Sequence, residues 1–237
     1  MKWSLKEDSI VCKFYLAHID SWRDCLDSLM EQLKELGFGA RDRGSVKMRI
    51  QNYAYLHTGS GLANVATQSK TVYRVFTQRI KYPAVYSNLK VYIQDNYMPQ
   101  SSNSRNDNII GTPQNTTNFI YTEPLGPTFQ DVLFGFIDQR GMKDSEVYNA
   151  CLVGRDTFSH IRKGDKGVSK RTVKQLCFGL KLTYDEAVVL MASAGYAFSS
   201  GNLSDVIVSY YLKNCIYDID DANMTLYDNN AEMLFTA

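Results

Sequence analysis

Between Thr128 and Tyr196 five short amphipathic segments follow one another closely, and no other feature of the 237 residues constrains the fold as much. Thr128 can cap a helix whose apolar residues are Phe129, Val132, Leu133, Phe136 and Ile137, with Gly141 closing it. At the centre lies Lys143–Gly164, KDSEVYNACLVGRDTFSHIRKG. Val147, Tyr148 and Cys151 make one apolar stripe there, and Phe158 and Ile161 make the next. Their spacing puts each set on one helical face, and the two segments meet at a tight Leu152-Val153-Gly154 corner. Ser169 opens a further helix with Val173, Leu176 and Leu180 inward. Thr183-x-x-Glu186 is a capping box for the last, with Ala187, Leu190, Met191 and Ala194 inward and Gly195 at its end. Burying the two central stripes against each other leaves Arg155, Asp156, Ser159, His160 and Lys163 outward. A helix needs that geometry to enter a major groove with its N-terminal side chains.

The stretch resembles the lambda-repressor-like (Xre-type) helix-turn-helix family, most specifically in T-F-S-H-I-R-K-G followed by S-K-R-T-V. The resemblance implies a DNA-reading module with base contacts from Arg155, Ser159 and His160, and Lys163 beside them. Tyr148 stands where the family usually has a small residue, Leu152 where it usually has glycine, and Asp144 where a DNA-contacting glutamine is common. Asp144, Glu146 and Asp156 place negative charge where phosphates would lie.

Residues 1–93 read as a separate helical domain. Ile10, Val11, Phe14, Tyr15, His18 and Ile19 form its first stripe. Asp20 or Ser21 caps a second helix with Trp22, Cys25, Leu26, Leu29, Met30, Leu33 and Leu36 inward, and Ser45 opens a third on which Val46, Ile50 and Tyr53 point one way. Lys47, Met48, Gln51 and Asn52 sweep round the other face. The run GSVKMRIQNYAYLHTGSGLANVATQSKTVYRVF is similar to the helical domain that precedes HNH-type restriction endonucleases. The shared pattern is Ser-Val, a basic residue, Asn before an aromatic, Gly-Leu-x-Asn and Ser-Lys. That similarity implies DNA binding without the nuclease chemistry, which in those enzymes lies in another domain.

Charge supports the same division. From Arg41 to Lys90 nine basic residues face one acid, whereas from Gly201 to the end one base faces six acids. Arg41, Arg43, Lys47, Arg49 and Lys70 are therefore the phosphate-contacting candidates, with Gln51 and Met48 as base readers. Residues 94–127, polar and carrying Pro99, Pro113, Pro124 and Pro127, read as a flexible linker. Residues 201–237 carry two more helices, the second acidic around Ala222–Leu234. The expected architecture is all-α, with two helical DNA-binding-like domains (1–93 and 128–237) and the polar linker between them.

Catalytic and cofactor chemistry finds no constellation here. Five cysteines are scattered without a C-x-x-C pair, and the three histidines make no ligand cluster, so neither a metal site nor a cofactor is expected. Ser159 and His160 are helix neighbours pointing about 100° apart, which excludes a dyad. Asp218-x-Asp220 fails as a calcium loop, since Ala222 and Asn223 replace a ligand and the required glycine. The first ten residues, MKWSLKEDSI, lack the apolar core of a secretion signal, and no run is long enough to span a membrane; a cytoplasmic location is expected. The leading expectation is a non-enzymatic, sequence-recognising regulator binding double-stranded DNA, of bacterial or mobile-element origin. The rival is an adaptor in a bacterial phage-defence or mobile-element system, binding protein through the C-terminal domain; a homodimer remains open.

Overall fold

Ser4 Oγ accepts from the Glu7 N–H at 3.2 Å while the Ser4 N–H donates to Glu7 Oε2 at 2.8 Å, a capping box that starts α1 (Leu5–Ala17). The computed structural model describes residues 2–39, 41–60, 64–99 and 126–235, and among them every regular element is a helix. The all-α class is thus observed. After α1 come α2 (Leu26–Glu35), α3 (Arg43–Thr58) and α4 (Thr67–Lys81). The second helix starts later than expected, because Ser21, Asp24 and Cys25 donate their N–H groups into turns instead. The third is capped by Asp42, whose Oδ1 accepts from the Ser45 N–H at 2.8 Å, so Ser45 lies inside it.

α1 packs on α3 and α4 around Val11, Tyr15, Val46, Ile50, Tyr53, Val72 and Val75. Two carboxylates enter this core. Glu7 receives the Arg41 Nε–H at 2.7 Å and a second guanidinium N–H at 3.1 Å. The hydrogen bonds from Arg41 hold Glu7 down at about 2. Asp8, fully buried, accepts from Tyr53 Oη, from Gln68 Nε2 at 3.0 Å and from Arg49 at 3.3 Å. Burial outweighs these donors and pushes Asp8 up. The Trp3 ring lies 4.5 Å from the Arg41 guanidinium and 4.7 Å from that of Arg49, a cation–π contact with each.

The chain divides into two compact units, Met1–Ser87 and Asn88–Ala237, and the division falls inside α5 (Pro83–Asn96). From Asn88 onward the chain belongs to the second unit: the Tyr92 ring lies 5.1 Å from that of Tyr210, and the Met98 N–H donates to the Ser200 carbonyl at 2.9 Å. The boundary expected at residue 93 therefore moves, and residues 94–99 join a folded unit. Residues 100–125 of the expected linker lie outside the described residues.

The second unit continues with α6 (Phe129–Gln139), α7 (Asp144–Ala150), α8 (Arg155–Lys163), α9 (Lys170–Gly179), α10 (Tyr184–Ser193), α11 (Leu203–Lys213) and α12 (Ile219–Asp228). α9 and α11 are central; every residue from Val173 to Phe178 and from Ser204 to Leu212 is buried. Lys174 is buried among them and meets the fully buried Asp205 at 2.6 Å, with Lys170 on the other carboxylate oxygen. Asp218 caps α12 by accepting from the Asp221 N–H at 3.1 Å, which accounts for its place in the sequence. α12 ends at Asp228, short of the expected Leu234, because Asn223 Oδ1 ties back the Leu234 N–H at 2.8 Å and the Phe235 N–H at 3.3 Å.

The Glu7–Arg41 pair generates a pH prediction. Glu7 is held below its ordinary 4.5, so its contribution is complete above that value and is lost as pH falls toward about 2. Asp8 runs the opposite way, since a raised carboxylate loses stability as pH rises. Both tryptophans lie in the first unit, so their fluorescence reports its unfolding. In urea titrations Glu7→Gln should cost about 2–3 kcal/mol at neutral pH and flatten the loss of stability between pH 5 and 2. Parallel pH profiles for variant and wild type would show that the pair contributes nothing.

Candidate nucleic-acid interface

Thr128 and Asp131 form a reciprocal cap at the start of α6, with Thr128 N–H to Asp131 Oδ2 at 2.9 Å and Asp131 N–H to Thr128 Oγ1 at 3.2 Å. α7 then begins with the Lys143 N–H held by Glu146 Oε2 at 2.7 Å. Between α7 and α8 lie only the four residues Cys151–Gly154. Leu152 takes φ of 54° there, in the left-handed region that glycine favours. The corner closes through Cys151 N–H to the Val147 carbonyl at 2.9 Å and Val153 N–H to the Tyr148 carbonyl at 3.0 Å. From α9, Gln175 Nε2 donates to the Leu152 carbonyl at 3.3 Å.

The placement of α7 is set by a close approach. A Cβ on Gly179 of α9 would lie 2.1 Å from Cys151 Sγ and within 2.8 Å of the Cys151 N and Cα. Only glycine lets the two backbones come this near. Burial in that contact pushes the Cys151 thiol up to about 12, and burial also raises Cys12 and Cys177, so these three are inert packing groups.

α8 buries Phe158 and Ile161 and turns the rest outward. Phe158 lies edge-on to Phe134 at 6.5 Å and tilted against Tyr148 at 6.1 Å, so the bulky Tyr148 packs against the base of the helix. Gly164, at φ 67°, ends α8, and Gln130 Nε2 from α6 reaches the Ile161 carbonyl at 3.3 Å. Arg155, Asp156, Ser159 and Lys163 are all exposed. His160 is half-buried at the rim, with Nδ1 3.0 Å from Asp165 Oδ1 and Nε2 3.4 Å from Lys166 Nζ. Arg162 pairs with Asp144 across the α7–α8 groove while lying 4.4 Å over the Phe134 ring. The groove, about 420 Å³, is lined by both polar and aromatic groups, among them Ser145, Tyr148, Arg155 and Ser159.

Of the first-unit candidates, Lys47 and Lys70 are exposed, Met48 is 53 % exposed and Gln51 is half-buried. Arg43 is exposed and paired with Asp27. Arg41 and Arg49 require correction as phosphate contacts, because both are buried against Glu7 and Asp8. For Arg49 the physical reason is phase, since it stands three residues after Val46 and four before Tyr53 on the buried face of α3; Arg41, before that helix, is drawn in by Glu7 and the Lys2 carbonyl. Asn52 is half-buried beside the fully buried Tyr53. Gly61 and Leu62 of the endonuclease-like pattern lie outside the described residues. Sequence reading missed Gln175, Gly179 and the Asp144–Arg162 pair, and only the glycine inside an otherwise apolar helix end signalled a close contact.

Among the described residues no group of three or more His, Cys, Asp or Glu side chains could hold a metal ion, and no helix is long and apolar enough to cross a membrane. The other two histidines are engaged within the fold, His18 with the Phe14 carbonyl at 2.9 Å and His57 with Tyr73 Oη at 2.8 Å. No family model, curated protein or solved structure matches the chain.

Two substitutions test how the corner is built. Leu152→Gly removes the left-handed strain and should stabilise the protein by about 0.5–1 kcal/mol, a net of relieved sterics and added chain entropy. A lower melting temperature would contradict that account. Gly179→Ala should cost about 3 kcal/mol or more. Adding Cys151→Ala should rescue little, because the clash with the Cys151 backbone remains; full rescue would mean that only the sulfur is in the way.

Proposed function

We propose that the protein is a sequence-recognising, non-enzymatic DNA-binding protein, a bacterial or mobile-element transcriptional regulator in which α8 reads the major groove of double-stranded DNA. The observation that carries this reading is the outward face of α8. It presents Arg155, Ser159 and Lys163 at the end of a four-residue corner, while Phe158 and Ile161 anchor the helix from behind. A major groove about 12 Å wide admits one such helix, and an arginine near its start can fork onto guanine.

The acidic residues around α8 weigh less against this reading than their number suggests. Asp144 is paired with Arg162, and Glu146 is engaged with the Lys143 N–H. Asp156 remains on the reading face, where a carboxylate can accept from cytosine N4 or repel the backbone. His160 supports the reading least, being turned toward Asp165. A second reading, an adaptor that binds protein, draws on α10, where Val188 and Val189 are 41 % and 52 % exposed.

Selection of bound duplexes from a random library, followed by anisotropy titrations, tests the two readings. Arg155→Ala should cost about 1–3 kcal/mol at the selected site and relax preference at one base pair. Asp156→Asn should raise affinity for all duplexes if the carboxylate repels, or lose it at one sequence if it reads. If neither substitution alters DNA binding, while Val188→Asp abolishes capture of a protein partner, the adaptor reading replaces the first.

A further inference from the structure

We infer that the second unit binds a small carboxylic acid with a flat apolar body, in a pocket between α11, α10 and the end of α5. The inference stands apart from the reading of α8 and concerns a different kind of ligand. The pocket holds about 130 Å³ and is walled by Tyr92, Tyr184, Phe198 and Val206, with Ser209 and Lys213 among its polar groups. Val206, Ser209 and Lys213 follow one another at three and four residues, so they form one stripe along α11. Tyr184 stacks on Phe198 with ring centroids 5.6 Å apart, which makes one wall flat and aromatic. An apolar cavity of about 150 Å³ takes up one benzene. This pocket therefore suits a body of one ring, with the charged end at the exposed Lys213.

Two groups in the pocket lack the partner that a carboxylate supplies. Ser209 is only 6 % exposed, and its hydroxyl has no hydrogen-bond partner among the described residues. Lys213 donates to Tyr92 Oη at 3.0 Å, and its Nζ lies 4.6 Å over the Tyr184 ring. An ammonium carries three N–H groups, so one bond to a neutral phenol leaves two to give. Its charge meets no carboxylate among the described residues. The bond to Tyr92 raises Lys213 above its ordinary range, which keeps the cation charged at neutral pH. No acidic side chain lines the pocket, and Asp205, the one acid of α11, is matched by Lys170 and Lys174. Phosphate is a poorer match, because its sites draw on arginine forks or on several converging backbone N–H groups. One ammonium and one hydroxyl, four residues apart on a single helical face, suit the two oxygens of one carboxylate.

The test titrates benzoate into the full chain at low salt and follows saturation-transfer NMR signals of the ligand. Benzoate should bind with Kd on the order of 0.1–1 mM, as befits so few ligand atoms. Benzyl alcohol, its neutral counterpart, should bind about tenfold more weakly, and inorganic phosphate should not displace benzoate. Lys213→Met keeps the length of the side chain and removes the charge, and Ser209→Ala removes the hydroxyl. Each should weaken benzoate by about tenfold. Lys34→Met removes an exposed cation from α2 and should leave the affinity unchanged. Thermal melting checks the fold of each variant; if Lys213→Met lowers it, Ser209→Ala carries the comparison. Benzyl alcohol binding as tightly as benzoate overturns the inference, and so does displacement by phosphate. Unchanged benzoate affinity in both variants, or no saturable binding to the wild type, also overturns it. Each of these results leaves the α8 reading standing, since no DNA enters the measurement.

Discussion

Gly179 presses the end of α9 onto the end of α7 with less than a side chain's thickness between them, and the geometry of α8 follows from that contact. With Cys151 pinned from below, the chain has four residues in which to reverse before Phe158 must re-enter the core. The corner solves this by putting Leu152 into the left-handed region, at a local cost of about 1–2 kcal/mol that the surrounding packing offsets. Gln175, one turn before Gly179 on α9, holds the Leu152 carbonyl. One helix thus sets both the depth of α7 and the direction in which α8 leaves. The polar face of α8 is outward because its apolar face has only one place to go.

The first unit depends on a different constraint, the partnering of buried charge. Glu7 and Asp8 start α1 at a point where α3 and α4 close over it, and a carboxylate buried there without a donor would cost several kcal/mol. Arg41 and Arg49 supply those donors, and both guanidinium groups lie against the Trp3 ring. Such a network stabilises less than an apolar core of equal volume, but breaking one partner is costly, which makes it a device for holding one arrangement of helices. It also decides which cations stay on the surface. Of the basic residues between Arg41 and Lys81, Arg41 and Arg49 are drawn into the fold, whereas Lys47 and Lys70 are exposed.

Much of this was legible in the residues themselves. Thr128, Ser169 and Thr183 cap the helices their patterns announced, and Phe158 and Ile161 lie under α8 as their spacing required. The outward positions of Arg155, Ser159 and Lys163 followed from the same periodicity. Arg41 and Arg49 were not legible as core residues, because a positive charge reads as surface until its carboxylate partner is known. Those partners lie 34 and 41 residues earlier in the chain, a separation no local pattern spans. The same holds for Arg162, whose carboxylate Asp144 sits on the preceding helix.

By itself the sequence determined the class of the fold, the ends of most helices and the face each one buries, since these depend on capping and on a 3.6-residue period acting within a few turns. It also determined that α3 and α4 would be free of acid and that the C-terminal helices would not. Only the tertiary structure decided where the chain divides, carrying residues 88–99 into the second unit through Tyr92 and Met98. It decided as well which charges are neutralised and which are presented, and how close α9 lies to α7. The physical reason is the same in each case: pairing of buried charge, contact between aromatic rings and the approach of two backbones are relations between residues far apart in sequence. No residue carries them until its neighbours in space are fixed.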